Sequence, residues 1–535
     1  MASETETGVI LEKDKRLSES IIWQIQQNYY YQQGVDAWRK GVVPHYITSN
    51  PFIAGAYARV ARAFVRDCQE VGSAGESTLF PPFAADHPLY VVELGAGSGR
   101  FSYHFLKKFF FPHGGPSLES VPVKYIMTDI SPANLKFWQA HASLKPLVEA
   151  GLLDFALFNV GQDQQLKLAV SGQVLSAETV KNPLIIIANY LFDTIPQDCF
   201  YIKKGQLHES LVTVSSSQAE RNLNDPALIK RVKLQYRHRP ITANYYTQPD
   251  LNRLLGYYRQ QLDDTTLLFP RAALDSIRQF SLMTNGRLLL LSADKGYAQE
   301  EALAGWRDQV LTVHGSFSMM VNYHAIEQFV RNMQGRALHT GHSHYSLNIS
   351  AFLLGQHLAA YPETQQAYQE AIDTFGPDDF FVLKEGVQKN YDDFSIAQLV
   401  AFLRLSGWDA DIFFACCQSL LNQLKEATSD EQKALVEMAH KVWDTYYPLG
   451  EIEDVPFQLG MVLYTIGRYE EAMVYFQHSL EMHGPHPSTS YNIGLCYYGL
   501  QQLDKALEYF EETLDQDSAF EGAMTMWREV KEKLG

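Results

Sequence analysis

The chain has 535 residues, of which 46% are hydrophobic and 20% are charged. This is the composition of an ordinary globular protein with enough chain for more than one domain, and it excludes a disordered or fibrous chain. With 44 Lys and Arg against 61 Asp and Glu, the net charge is −17, which disfavours general binding to nucleic acid or anionic lipid.

The cysteines and the first residues indicate a compartment. Five cysteines are scattered along the chain without a CxxC spacing, which argues against a disulfide framework or a zinc knuckle and favours reduced thiols. The first seven residues are acidic and polar, unlike a secretory or transit peptide, and no apolar run approaches the roughly 20 residues of a membrane helix. We therefore expect a soluble, cytoplasmic protein.

The first predicted elements lead to a glycine turn. Helical spacing of apolar residues predicts helices over 21–30 and 54–65. A short buried strand over 90–94 then runs directly into the turn Gly95-Ala96-Gly97-Ser98-Gly99 and on into a helix over 100–108. Strand, glycine turn and helix in this order open a nucleotide-binding α/β unit.

Four more strands follow, and three of them end in a carboxylate or an amide side chain. The strands are 123–129, 153–159, 183–189 and 286–292. The first three end at Asp129, Asn159 and Asn189, respectively. Strands that alternate with helices predict an α/β fold with a doubly wound, Rossmann-like parallel sheet.

Residues from about 215 to 280 interrupt this alternation. They look helical and amphipathic, so we predict a helical insertion before the fifth strand, where insertions commonly form a lid over the ligand. The insertion belongs to a predicted first domain over 1–355.

From about residue 394 the pattern is wholly helical and repeats every 34 residues. The pairs that show this period are Gly460 and Gly494, Ala472 and Ala506, Tyr475 and Tyr509, and Phe476 and Phe510. Small residues at close-packing positions and an aromatic in the second helix are the tetratricopeptide signature. We expect an all-α repeat domain over 451–535, degenerate repeats or a linker over 356–450, and a protein or peptide partner for the repeats.

The glycine turn fits two kinds of cofactor site, and its spacing separates them. A dinucleotide site needs GxGxxG, whereas the turn here is GxGxG. An adenosyl cofactor without a pyrophosphate needs a tight turn beside its sulfonium amino acid and a carboxylate after the second strand for the ribose hydroxyls. Asp129 occupies the place of that carboxylate, and Glu93 puts a negative charge near the sulfonium or the methionyl amino group.

These residues resemble motif I and the following motifs of class I S-adenosylmethionine-dependent methyltransferases. The resemblance implies S-adenosylmethionine as cofactor, held by Glu93, Gly95, Gly97, Gly99 and Asp129. It also implies that Ile130 flanks the adenine, that Asn159 and Val160 meet its edge and face, and that Asn189 lies beside the methionyl moiety. Because Asn159 stands where an acidic residue is commonest, it can imitate that residue only through its carbonyl oxygen.

A narrower resemblance covers about residues 20–355. The segments 46–49 (YITS) and 188–196 (ANYLFDTIP) resemble F-x-T-S/A and A-N-E-x-x-D-A-x-P of the MidA family, whose mitochondrial members are protein-arginine methyltransferases involved in complex I assembly. Tyr190 replaces the family's Glu and cannot hold a guanidinium as a carboxylate does, which argues against arginine as the acceptor. Tyr190 either lines the acceptor site or serves only to pack against neighbouring side chains. Asp193 either orients an acceptor and takes up its proton, or caps the turn after the fourth strand.

Two further clusters favour structural roles. His339, His342 and His344 lack a Cys, Asp or Glu to complete a coordination shell, so we predict a polar turn and no metal site. The basic strip of residues 231–239 is more consistent with solvation or intramolecular ion pairs than with nucleic acid.

Three functions remain open from the sequence. The first is an enzyme that methylates a protein side chain, with the repeats docking the substrate. The second is a methyltransferase-like scaffold that has lost turnover, and the third is a methyltransferase for small molecules, because fold does not fix substrate.

Overall fold

The computed structural model describes residues 8–73, 83–111, 122–242, 244–341, 347–355 and 361–535. It divides the chain into two compact units, 1–378 and 379–535. Within the described residues, no helix is both long enough and apolar enough to cross a membrane.

The strands all belong to the first unit. In chain order they are β1 (Val9–Lys15), β2 (Leu89–Leu94), β3 (Val123–Asp129), β4 (Leu153–Leu157), β5 (Leu166–Lys167), β6 (Val174–Leu175), β7 (Leu184–Asn189), β8 (Asp198–Lys203), β9 (Gln206–Ser216), β10 (Val232–Pro240), β11 (Thr265–Phe269), β12 (Leu288–Asp294), β13 (Gly296–Tyr297), β14 (Thr312–His314), β15 (Ser316–Ser318), β16 (Val321–Asn322), β17 (Arg336–His339) and β18 (Asn348–Leu354).

The helices run through both units. In chain order they are α1 (Ile21–Gln33), α2 (Asp36–Arg39), α3 (Tyr46–Ser49), α4 (Pro51–Ser73), α5 (Arg100–Phe110), α6 (Pro132–Ala140), α7 (Lys145–Glu149), α8 (Pro249–Gln261), α9 (Arg271–Met283), α10 (Tyr323–Asn332), α11 (Pro362–Tyr368), α12 (Pro377–Gln388), α13 (Ile396–Leu405), α14 (Ala410–Leu421), α15 (Ser429–Thr445), α16 (Val455–Thr465), α17 (Tyr469–His483), α18 (Pro487–Gly499), α19 (Leu503–Gln516) and α20 (Glu521–Leu534).

The main sheet is the predicted doubly wound sheet. Its strand order is β17-β18-β12-β7-β2-β3-β4. The strands from β12 to β4 are parallel to one another, and β18 runs antiparallel beside β12. Every residue of β2 is buried, as expected for a central strand covered on both faces. The five predicted strands are present, but β4 ends at Leu157, so that Asn159 lies on the loop after it, and the fifth strand runs over Leu288–Asp294 rather than 286–292.

The chain order of the strands creates a switch point in this sheet. From β2 the chain passes outward to β3 and β4, then returns to β7 on the other side of β2. The connections that follow β2 and β7 therefore leave in opposite directions and open a crevice at the carboxyl ends of these two strands. The glycine turn and Asn189 both lie at this edge.

The prediction of a wholly helical insertion is wrong in part. Helices α8 and α9 fall within 215–280, but so do β10 and β11, which join β1, β8 and β9 in an antiparallel sheet. In β10, alternate residues Val232, Leu234 and Tyr236 pack on a hydrophobic cluster while the polar residues between them are exposed. Its amphipathic character therefore has the two-residue period of a strand.

The second unit contains the repeats. Helices α16 and α17 form one pair and α18 and α19 the next, followed by α20. A Cβ on Gly460 would lie 2.6 Å from the Phe476 ring, and a Cβ on Gly494 would lie 2.6 Å from the Phe510 ring. Each helix pair thus packs a glycine directly against an aromatic ring, which explains the 34-residue spacing. The predicted repeat fold is confirmed.

The boundary between the two units follows Asp378, whereas the sequence suggested residue 355. Helix α11 stays with the first unit because Asp67 of α4 accepts hydrogen bonds from the Thr364 backbone N–H at 2.8 Å and hydroxyl at 2.6 Å. These residues lie far apart in the chain, and helical periodicity does not reveal such contacts.

Candidate active site

A cavity opens at the carboxyl ends of β2, β3 and β7. The space between its walls is about 1090 Å³, part of it open to solvent. Eight of the nine predicted cofactor residues line it, namely Glu93, Gly95, Gly97, Asp129, Ile130, Asn159, Val160 and Asn189. The ninth, Gly99, is the last residue of the turn and precedes α5.

The glycine turn is pinned in a backbone conformation that side chains disfavour. Gly95, Gly97 and Gly99 have φ angles of 70°, 56° and 83°, in the left-handed region. The Gly97 N–H donates to Asp129 Oδ2 at 3.0 Å, and the Gly97 carbonyl accepts from the Trp138 indole N–H at 3.1 Å. The turn of β2 is thereby tied to the end of β3, and its backbone faces the cavity.

Asp129 is a buried carboxylate with acceptor capacity to spare. Besides the Gly97 N–H, it accepts the Ser131 N–H through Oδ1 at 2.9 Å. Burial raises the pKa of Asp129, and the N–H donors oppose that rise. A carboxylate has about four lone-pair sites, so Asp129 can accept further hydrogen bonds from two hydroxyl groups. Ser131 itself is the N-cap residue of α6, but its side chain makes no capping hydrogen bond.

Glu93 lies near the end of β2, and two hydroxyl groups donate hydrogen bonds to its carboxylate. Its Oε2 accepts the Tyr125 hydroxyl at 2.8 Å and the Ser102 hydroxyl. Burial raises the pKa of Glu93 to about 7, while the two hydroxyl donors oppose the rise. Sequence reasoning missed both donors, because Ser102 on α5 and Tyr125 on β3 become neighbours of Glu93 only after the strands pair.

Asn189 presents an unsatisfied donor in the cavity wall. Its Oδ1 accepts the Tyr57 hydroxyl at 3.0 Å, whereas its Nδ2 is buried and has no partner among the described residues. Buried donors without partners are rare and costly. This atom therefore suits an acceptor group of a ligand in the cavity.

The predicted adenine residues lie together on another wall. Ile130 is half-buried and Val160 is buried, so both offer apolar surface. The Asn159 side-chain amide donates to Gln162 Oε1 at 3.1 Å, and its backbone N–H donates to Asp163 Oδ2 at 2.7 Å. These contacts fix the Asn159 side chain on the loop after β4.

Of the two candidate catalytic residues, Tyr190 lines the cavity and Asp193 does not. Tyr190 has a φ of 48°, which is strained for a bulky residue. Burial raises the pKa of its hydroxyl, and the nearby carboxyl groups of Asp193 and Asp294 raise it further. Asp193 lies behind this wall, 4% exposed, close to the fully buried Asp294.

One wall of the cavity had no signal in the sequence. It comes from the helices before the glycine turn and contains Trp23, Tyr30, Trp38 and His45. The Tyr30 and Trp38 rings stack with centroids 5.9 Å apart, and a Cβ on Gly97 would lie 2.8 Å from Trp38. This wall of the cavity is therefore rich in aromatic surface.

The two remaining clusters have ordinary partners where they are described. His339 Nδ1 lies 2.8 Å from Ser350 Oγ, and its Nε2 lies 3.4 Å from Glu327; His342 and His344 lie outside the described residues. In the basic strip, the ion pairs within the chain join Arg231 to Glu220 and Asp225, Arg237 to Asp14, and Arg239 to Glu209.

Comparison with protein-family models identifies the first unit. Residues 60–330 match a family model described as "Putative S-adenosyl-L-methionine-dependent methyltransferase", which covers half of the chain. The chain belongs to this methyltransferase family. Residues 454–519 of the methyltransferase match a tetratricopeptide-repeat model. No curated protein matches the chain. The narrower MidA resemblance stays a prediction.

Several solved structures are similar to this methyltransferase. An uncharacterized superfamily protein from Burkholderia thailandensis is 11% identical, with 64% of this chain and 89% of that protein covered and a TM-score of 0.38. A second superfamily member from the same organism, bound to S-adenosyl-homocysteine, is 13% identical, with 59% and 80% covered and a TM-score of 0.36. A tetratricopeptide-repeat protein from Thermus thermophilus is 13% identical, with 32% and 91% covered and a TM-score of 0.22.

The described residues fit the cofactor of the methyltransferase family. Asp129 offers acceptor sites for hydroxyl groups, and Asn189 offers a buried donor for a carboxylate or carbonyl oxygen. Glu93 adds acidic oxygen atoms at the glycine turn. When bound, S-adenosylmethionine supplies a methyl group on a positively charged sulfonium.

Proposed function

We propose that this methyltransferase transfers a methyl group from S-adenosylmethionine to a protein side chain that the repeats help to dock. The cofactor-binding residues of the proposal are Glu93, Gly95, Gly97, Gly99, Asp129, Ile130, Asn159, Val160 and Asn189. The observation that carries the proposal is their convergence, Gly99 excepted, on one cavity at the switch point of the sheet.

The residues of the chain act mainly by alignment in this proposal. Asp129 binds the ribose hydroxyls, while Glu93 and Asn189 orient the methionyl end beside the glycine turn. Tyr190 and the aromatic residues before the turn form the side of the cavity that receives the acceptor. Holding acceptor and methyl group in a near-attack geometry is a large part of what a transfer enzyme has to do. Asp193 acts from behind Tyr190 and does not touch the acceptor.

The charges of the two units support docking of a basic protein segment. Residues 379–535 contain 26 Asp and Glu against 11 Lys and Arg, a net charge of −15. The first unit contributes only −2 to the total of −17. Opposite charge steers association and selects partners, so an acidic repeat unit favours a substrate rich in Lys and Arg near the methylated residue.

The acceptor side chain itself is neutral in this proposal. Among the residues that line the described cavity, the carboxylates are Glu93 and Asp129, and both lie at the cofactor end. An arginine acceptor would lack a carboxylate to compensate its guanidinium. We also propose a cytoplasmic location, which five buried cysteines without a disulfide support.

The test labels lysate proteins with S-adenosylmethionine that carries a tritiated methyl group, using the full chain. A charge-reversal variant changes three exposed acids on one face of α19: Asp504→Lys, Glu508→Lys and Asp515→Lys. A matched control reverses three exposed acids of the first unit: Glu149→Lys, Glu178→Lys and Glu301→Lys.

We expect labelled protein with the native enzyme and the control, and several-fold less with the repeat variant. Labelling by the native enzyme falls as salt rises, because the attraction is screened. Equal labelling by all three proteins would refute docking by the repeats. Label found only in the small-molecule fraction would favour a small-molecule methyltransferase instead.

A further inference from the structure

Two buried carboxyl groups lie directly behind the cavity wall. Asp193 follows β7 and is 4% exposed, and Asp294 ends β12 and is fully buried. The two carboxyls are close enough for each to change the pKa of the other, and the Oδ1 atom of each is buried without a hydrogen-bond partner among the described residues. Two buried carboxylates this close cannot both be ionised without a large cost, so one of them retains a proton.

The same carboxyls are linked to the turn of residues 190–194. The Phe192 N–H donates to Asp294 Oδ2 at 3.1 Å. The Tyr190 N–H donates to the Ala293 carbonyl at 2.9 Å, and the Met319 N–H donates to the Asp193 carbonyl at 2.9 Å. The end of β12 therefore holds this turn from behind through both backbone and side chain.

The front of the turn forms part of the cavity. Tyr190, Leu191 and Thr194 line it, and Leu191 Cδ1 lies only 3.2 Å from where a Cβ on Gly95 would be. Tyr190 keeps a left-handed backbone, with φ 48°. A strained conformation of this kind persists only where the surroundings over-determine it.

We infer that Asp193 and Asp294 share one proton, and that this shared hydrogen bond holds the turn of residues 190–194 against the glycine turn. Asp294 is therefore a positioning residue for the cofactor cavity. It touches neither cofactor nor acceptor. The inference depends on the cavity being the cofactor site, but not on the acceptor being a protein.

The surroundings favour the protonated pair. Burial raises the pKa of both carboxyls, and the charge of Asp193 raises the pKa of Asp294 further. The charged and titratable groups that face the pair are Lys295, Tyr30, Tyr57, Tyr190 and Tyr323. Of these, Lys295 is the cation, and its charge opposes the rise in the pKa of Asp193.

The consequence is a pH dependence with a defined sign. A raised pKa in the folded state means that the stabilising contact is present while the pair holds its proton and is lost as the pH rises through the folded pKa. Loss of the proton puts two negative charges behind the turn and releases it. Asparagine in place of Asp294 donates an N–H to Asp193 at every pH, so the variant should keep the turn in place.

The test measures S-adenosylhomocysteine binding to the full chain by calorimetry from about pH 6 to about pH 9.5, a range that includes the pKa of about 7 of Asp193 and extends above it. We expect native protein and Asp294→Asn to bind equally at the acidic end, and the native protein to bind about tenfold more weakly than the variant at the alkaline end, as expected when a strained wall relaxes. Asp294→Ala should bind weakly at every pH. Ionisation of the ligand and of Glu93 affects native and variant proteins alike, so the difference between their profiles reports the pair.

Parallel profiles for native protein and Asp294→Asn would overturn the inference, as would equal loss of binding in Asp294→Asn and Asp294→Ala at the acidic end. Should Asp294→Asn fail to fold, Asp193→Asn supplies the same N–H from the other side and carries the same expectation. If the native protein binds no S-adenosylhomocysteine at any pH, the cofactor site is wrong. The pair is then tested by melting temperature, whose gap between native protein and variant must widen as the pH rises.

Discussion

Gly97 allows the geometry of the glycine turn to be tested quantitatively. The substitution Gly97→Ala places a Cβ in a left-handed backbone with φ 56°, 2.8 Å from the Trp38 ring. The backbone contributes about 1–2 kcal/mol of strain. The Trp38 ring is stacked on Tyr30, so displacing it adds about 1–3 kcal/mol. We expect a loss of about 2–5 kcal/mol in the free energy of unfolding of the first unit.

A matched control separates the two contributions. Gly151 also has a left-handed φ, 73°, but a Cβ there would meet nothing within 4 Å. Gly151→Ala should therefore lose only the backbone contribution of about 1–2 kcal/mol and should bind S-adenosylhomocysteine normally. Gly97→Ala should bind it at least about tenfold more weakly, because the displaced Trp38 ring changes the cavity wall. A tenfold loss of affinity corresponds to about 1.4 kcal/mol of binding free energy.

The assays are urea unfolding and calorimetric titration with S-adenosylhomocysteine, each on the full chain. If Gly97→Ala is no less stable than Gly151→Ala and binds the ligand as tightly, the close approach of Trp38 to the turn does not shape the cavity. Loss of stability without loss of binding would limit the role of Gly97 to the fold.

Three further predictions concern separate parts of the molecule. Asp129→Ala should weaken S-adenosylhomocysteine binding by about 1–3 kcal/mol through lost charge-assisted hydrogen bonds, and unchanged calorimetric affinity would count against the ribose role. The pKa of Glu93 rises from 4.5 to about 7 on folding, so the protein should become less stable as the pH rises through this interval. Glu93→Gln should make the melting temperature less dependent on pH in this interval, and parallel curves of melting temperature against pH for native protein and variant would contradict this. Gly494→Ala should destabilise the repeats by about 1–3 kcal/mol through contact with Phe510, whereas Gly256→Ala, in open space on α8, should stabilise by up to about 1 kcal/mol; thermal unfolding compares the two.

The elements that the sequence predicts well are those with local patterns. The strand before the glycine turn, the apolar fourth strand and the polar residues that end the strands follow from short runs of residues, and parallel strands bring their ends together. The placement of Asp129 and Asn189 at one edge of the sheet therefore follows from sequence patterns alone. The contacts between glycines and aromatic rings in the repeats follow in the same way from the 34-residue period of the sequence.

The features that the sequence does not predict depend on long-range contacts. Trp38 approaches Gly97 from a helix far upstream, and Asp294 reaches Asp193 from a different strand, without any local motif for either contact. Strand β10 is an intermediate case, because an amphipathic segment fits a helix or a half-buried strand until its partner is known. The alternation of Val232, Leu234 and Tyr236 is visible in the sequence, but the pairing with β9 is what makes the segment a strand.

The chemistry of the acceptor end follows from the turn at the end of β7. A tyrosine there with φ 48° costs about 1–3 kcal/mol, and the hydrogen bonds from β12 offset this cost. The carboxyls of Asp193 and Asp294 lie behind the wall rather than in it. In the proposed function, the acceptor therefore meets a phenol and aromatic rings instead of a carboxylate. Such a wall does not compensate a cationic side chain, so it favours a neutral acceptor even where the surrounding substrate segment is basic enough to bind an acidic repeat unit.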